Sequence, residues 1–289
     1  MENTAGNKVN WVQRVVATLL FVVIGAAIII IFDPWGAKTL LPEKVDYLAK
    51  IATSLFLLAC ALLAKRSEKT RPYWQILFAL FILCVTVSLQ WIFGLHLGGE
   101  LGLRGNSPLN IALVKLNEWF VVWSVIILFT LLSGETPASI YIQKGNLKQG
   151  LLIGGIAFLV AAAGAIPMSG LMFQAKDLTL ARVLPWMPWI LIFVLANAAL
   201  EELMFRGLFL RKLEPFLGRF LSNLVIAVVF TLIHLGVSYT PGQYVFLAVV
   251  FPLALLWGWI TQKTNSLWGA ILFHAGMDIP IILGIFSNL

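Results

Sequence analysis

The sequence predicts an all-α, polytopic membrane protein of eight or nine transmembrane helices around a buried polar site. Three observations carry this reading. Of 289 residues, 60% are hydrophobic and only 11% charged, with a mean hydropathy of +0.94, whereas a soluble domain needs about 25% charged residues to wet its surface. Apolar windows long enough to cross a bilayer, about 20 residues each, recur along the whole chain. A few ionisable side chains stand inside those windows, where lipid makes each of them costly and a functional candidate by default. A soluble globular enzyme is excluded, and so is a disordered chain, which needs low hydrophobicity.

The windows fall at 12–32, 45–64, 73–94, 111–132, 150–167, 188–212, 219–237, 243–262 and 266–287. The first carries Lys8 and Arg14 at its start and is longer than a signal peptide's apolar stretch of about 7–15 residues. Asp33-Pro34 stands after it in place of a small-residue cleavage site, so a retained helix is expected. The fourth contains Lys115 and Glu118, which pair at i,i+3, and Lys50 and Lys115 are expected to snorkel. The fifth is short and rich in glycine (Gly154, Gly155, Gly164), which suits close helix packing or a partly inserted segment. A turn over 213–218 makes the sixth and seventh a hairpin. Trp11, Trp35, Tyr73, Trp74, Trp186, Trp189, Tyr239 and Tyr244 lie at window ends, as an interfacial aromatic belt requires. His96, in a Gly-rich segment, reads as a loop residue with no assigned role.

The formal net charge of +7 fits cytoplasmic loops facing anionic lipid. With the N-terminus inside, 13 of the 20 Lys and Arg residues lie on the inner side, most densely in the loop 65–72. The expected location is therefore an integral, multi-pass membrane protein with a cytoplasmic N-terminus. Short loops and the lack of a retention signal point to a bacterial cell membrane. No basic-aromatic interleaving, zinc-finger spacing or RNA-binding signature is present, so nucleic acid is not an expected partner. Cys60 and Cys84 lie in apolar runs and read as small buried hydrophobes. Residues 1–149 hold helices without a chemical motif, and residues 150–289 hold the working half.

Six ionisable residues stand out there: Glu201, Glu202, Arg206, His234, His274 and Asp278. Measured from the turn at 213–218, Glu201 lies about 18 Å and His234 about 22 Å from the same surface, and His274 and Asp278 about 12 and 18 Å in from residue 266. They can meet at one depth. Glu202 and Arg206 are i,i+4 and can neutralise each other, whereas Glu201 projects about 100° away and is available to another partner. His274 and Asp278 again share a helix face. A carboxylate, two imidazoles and a further acid are what water-activated acyl hydrolysis needs: a base, an orienting group and oxyanion donors.

The stretch GluGluLeuMetPheArg at 201–206 resembles the EExxxR motif of the type II CAAX prenyl endopeptidases, the CPBP or Abi family of intramembrane proteases. Phe230 to His234 resembles its FxxxH motif and His274 to Asp278 its HxxxN/D motif, with SerLeuTrpGlyAlaIle at 266–271 preceding. The resemblance covers about residues 188–287. It implies a glutamic-type, metal-free intramembrane endopeptidase. Glu201 is then the general base, acting with His234 on water; His274 and Asp278 hold the oxyanion; Glu202, Arg206 and Phe230 are structural or substrate-positioning. The implied substrate is a hydrophobic peptide or protein, plain or prenylated, entering a conical cavity from the cytoplasmic leaflet. Asp278 departs from the family's usual Asn, and an Asp donates a hydrogen bond only when protonated; otherwise it orients His274 or, as a further alternative, ligates a metal.

Three alternatives stand beside this one. His234, His274 and Glu201 are a zinc-competent set, so a zinc-dependent version of the protease is one. A non-proteolytic membrane scaffold or bacteriocin-immunity protein of the same family is the second. The third is a transporter using these groups as a proton relay, but repeat symmetry and paired broken helices are absent from the sequence.

Overall fold

The computed structural model describes residues 11–32, 42–96, 106–237 and 239–289. Lys8, Asp33, Pro34, Trp35, Lys38 and Arg104 lie outside the described residues, as do the side chains of Lys44 and His96. The described residues form helices and no strand: α1 (Trp11–Phe32), α2 (Glu43–Arg66), α3 (Trp74–Leu89), α4 (Pro108–Leu132), α5 (Leu147–Ala163), α6 (Ala165–Phe173), the single turn α7 (Leu180–Val183), α8 (Met187–Glu202), α9 (Arg211–Ile233), α10 (Gln243–Thr264) and α11 (Trp268–Ser287). Two π-helical segments, Gln90–His96 and Leu203–Leu210, prolong α3 and α8. His96 thus ends a helical segment and does not stand in a loop.

Seven stretches among the described residues are long and apolar enough to cross a membrane, or eight if the bent pair α5–α6 counts as one span. The longest, Leu180–Gly236, has 57 residues, about 85 Å if straight and far beyond a hydrocarbon core of about 30 Å. It is folded back on itself. Gly218 has φ 76° and ψ 171°, a backbone shape a side chain disfavours, and the rings of Phe205 and Phe230 lie 5.0 Å apart across the reversal. The hairpin is therefore present, but the loop expected over 213–218 is helical up to the glycine. The fifth window is also broken: α5 and α6 meet at Gly164 with a bend of 66°.

Local sequence explains where elements begin. Ser107 accepts a hydrogen bond from the Asn110 N–H at 3.2 Å with Pro108 at the first helical position of α4, and Asn146 caps α5 through the Gln149 N–H at 3.2 Å. The core runs from α1 to α11, with α5 packed on α11, α4 and α11 on α8, and α9 on α1 and α10. Cys84 is buried, Cys60 half-buried, and both are free thiols.

Glycines set the closeness of α5 and α11. A Cβ at Gly154 would lie 2.4 Å from the Gly269 carbonyl oxygen, and one at Gly269 would lie 2.7 Å from the Gly150 oxygen. Small residues four apart let helix backbones touch, which is how helices associate where lipid removes the hydrophobic drive. Gly155, by contrast, faces open space. Because α11 carries His274 and Asp278, this contact fixes the site's depth. Gly154→Val is expected to destabilise the protein by about 1–3 kcal/mol, read as a lower unfolding temperature in detergent, whereas Gly155→Ala leaves that temperature within about 2 °C of wild type, because it meets nothing and improves helix propensity.

Of the ionisable residues in the amino-terminal windows, Lys50 pairs with Asp46 at 2.8 Å and Lys115 with Glu118 at 2.8 Å, as the spacing predicts for the second pair. Lys115 does not snorkel. Its side chain keeps only 11% of its exposure, and Gln90 of the first π-segment donates to the same Glu118 oxygen at 3.0 Å.

Candidate active site

Glu201 and Glu202 are the last two residues of α8, Arg206 lies in the π-segment that follows, His234 begins a single 3₁₀ turn after α9, and His274 and Asp278 stand on α11. All six are buried. Wider helical turns of this kind recur at functional sites because they re-aim side chains. Here the change of helix type falls directly after the two glutamates.

His274 is the hub. Its Nδ1 lies 2.8 Å from Glu202 Oε1, while its Nε2 faces Glu201 Oε2 and Asp278 Oδ1, each at 3.6 Å. Glu202 Oε1 also accepts from Arg206 Nη1 at 2.9 Å. One carboxylate oxygen thus neutralises a buried guanidinium and orients the imidazole. The i,i+4 pairing of Glu202 and Arg206 is as the spacing predicts. The group that orients His274 by a hydrogen bond, however, is Glu202 rather than Asp278, whose 3.6 Å approach exceeds hydrogen-bond length.

His234 is anchored differently. Its Nδ1 lies 2.8 Å from the Phe230 carbonyl oxygen. The His234 backbone N–H turns instead to Thr231 and Leu232, so the imidazole satisfies a carbonyl that the end of the helix would otherwise leave without a donor. In the neutral ring this bond places the hydrogen on Nδ1 and the lone pair on Nε2. Phe230 joins the two histidines, with ring centroids 4.7 Å from His234 and 5.8 Å from His274. The Arg206 guanidinium lies 4.5 Å from the same ring and donates to the Ala254 carbonyl oxygen at 3.0 Å.

Two further residues belong to this cluster. Trp257 of α10 stacks on His274 at 4.0 Å with the planes 7° apart, fixing the ring's plane as Glu202 fixes its rotation. Asn197, one turn before Glu201, donates from Nδ2 to Glu201 Oε1 at 3.2 Å and to Asp278 Oδ2 at 3.0 Å. A lone amide in the apolar run four residues before Glu201 was the available sequence signal. Nothing in the spacing marks Trp257 among eleven tryptophans.

The motif-bearing elements can now be compared with known proteins. Residues 183–280 match the family model described as type II CAAX prenyl endopeptidase Rce1-like. The similarity is to this region alone. It covers every residue of the cluster and about a third of the chain. No curated protein and no solved structure matches the chain. The family is one of CAAX-type intramembrane proteases. This similarity indicates a protease, and the apolar spans indicate an integral membrane protein.

A separate apolar cleft of about 710 Å³ lies between α4, α5, α8 and α11, lined on α8 by Ile192, Leu195, Ala196 and Ala199. At about 100° per residue, these residues lie on the face of α8 opposite Asn197 and Glu201. The cleft is not the place where Glu201 would meet a substrate.

Proposed function

We propose that the chain is a glutamate-type intramembrane endopeptidase that hydrolyses a peptide bond in a hydrophobic segment, prenylated or plain. One observation carries this reading: the motif residues of α8, α9 and α11, apart in sequence, meet in one buried cluster organised around His274 and Phe230. Buried ionisable groups are costly, and their convergence from separate helices is better explained by chemistry than by helix packing.

In this mechanism Glu201 takes a proton from water as the water oxygen attacks the scissile carbonyl carbon. His234 holds the same water through the lone pair on Nε2. The carbonyl oxygen becomes the oxyanion and accepts from His274, which Glu202 and Trp257 hold in place; Asp278 flanks it. The C–N bond then breaks, and the proton held by Glu201 passes to the leaving amine. Arg206 pairs with Glu202 and keeps its carboxylate aligned. The substrate enters from the cytoplasmic leaflet of a bacterial membrane, with the chain's N-terminus on that side.

The zinc alternative fits the residues poorly. Among the described residues, no three His, Cys, Asp or Glu side chains are arranged to hold a metal ion. The test uses purified, detergent-solubilised protein and a panel of fluorogenic hydrophobic and prenylated peptides. Cleavage is expected to survive a chelator and to fall about 100-fold in His234→Ala. Loss under chelator, restored by added zinc, would instead move His234, His274 and Glu201 into ligand roles.

A further inference from the structure

Two carboxylates of the cluster, Glu201 and Asp278, come from different helices and lean on the same imidazole nitrogen at the same distance, 3.6 Å. Left alone, like charges at such range repel, and each would rotate away. Beside the imidazole itself, a neutral amide opposes this. Asn197 Nδ2 reaches the second oxygen of each carboxylate, Glu201 Oε1 at 3.2 Å and Asp278 Oδ2 at 3.0 Å. An amide nitrogen carries two hydrogens, one for each acceptor. The two acceptors also fix the amide's orientation, since its own oxygen would add a third negative dipole between them.

We propose that Asn197 is a positioning residue that clamps Glu201 and Asp278 on either side of His274 Nε2, supplying from α8 the amide that the third motif lacks where Asp278 replaces Asn. The clamp uses one oxygen of each carboxylate and thereby aims the other at the imidazole. It also ties the end of α8 to the middle of α11, so that the base and the oxyanion side of the site keep a fixed separation. This inference rests on the proteolytic reading for its kinetic consequence, though the clamp itself has a readout apart from catalysis.

The experiment compares the full chain in detergent as wild type, Asn197→Ala, Asn197→Asp, and Asn197→Asp combined with Asp278→Asn. Misplacing a reacting group by about 1 Å costs about 100-fold, so Asn197→Ala is expected to lower kcat for the best peptide of the panel by that order. KM should stay within about twofold and the unfolding temperature should fall by only a few degrees, because two hydrogen bonds are lost at a half-buried position and no core side chain is removed. Asn197→Asp keeps the shape but places three carboxylates together and should lose more. Combining it with Asp278→Asn returns an amide to the contact and should recover at least about fivefold of that loss, as coupled neighbours do.

The second readout is infrared spectroscopy of the carboxyl stretches, assigned with Glu201→Gln and Asp278→Asn. Both bands should shift in Asn197→Ala. If they stay at their wild-type positions, or if kcat is unchanged or the combined variant is no better than Asn197→Asp alone, the clamp is wrong. Should the wild type cleave no peptide, the proteolytic reading fails by itself, while the infrared bands still decide for or against the clamp.

Discussion

Glu201→Gln is expected to lower kcat for peptide cleavage by about 100-fold or more, the range that a positioned general base contributes, with little change in unfolding temperature. The substitution is nearly isosteric. A glutamine oxygen still accepts from Asn197, so the contact at 3.2 Å survives, and the buried site loses a charge it must otherwise neutralise. What disappears is the ability to take a proton from water. Steady-state kinetics on the best peptide of the panel, with thermal unfolding alongside, check both parts. Full cleavage by Glu201→Gln would end its assignment as the base. It would also favour another member of the cluster, because Asp278 faces the same His274 nitrogen at 3.6 Å.

The same two residues show what could and could not be read from sequence. Hydropathy located the helices because lipid imposes a length on every span, and rise per residue then placed Glu201, His234, His274 and Asp278 at one depth. The i,i+4 pairing of Glu202 with Arg206 followed from helix geometry alone. Contacts between helices did not follow, because azimuth depends on irregularities that periodicity cannot see. A π-segment at Leu203–Leu210 begins directly after the glutamates, and the reversal at Gly218 keeps helix where a loop was expected. Glu202, read as the partner of Arg206, also orients His274, and Lys115, read as snorkelling, is held inward by Glu118. Asn197 was legible only as an isolated polar residue, since its function depends on a carboxylate from another helix.

Arg206 and Glu202 allow stability and catalysis to be separated. Both side chains are fully buried, and breaking such a pair by removing one partner strands a charge, at about 3–5 kcal/mol. Arg206→Met or Glu202→Leu alone is thus expected to lower the unfolding temperature sharply. The pair is also incompletely satisfied: Glu202 Oε2 and Arg206 Nε have no hydrogen-bond partner among the described residues. Replacing both by apolar groups of similar volume removes those unsatisfied atoms with the charges, so the double variant should recover most of the stability lost by either single one. Activity should not return with it. His274 Nδ1 would have lost its 2.8 Å hydrogen-bond partner, leaving the ring its stack on Trp257 and the longer 3.6 Å approaches of Glu201 and Asp278. Thermal unfolding and peptide cleavage measured on the three variants test this together. A double variant that regains both stability and cleavage would make Glu202 a purely structural counter-ion, whereas stability without cleavage places its catalytic weight in the orientation of His274.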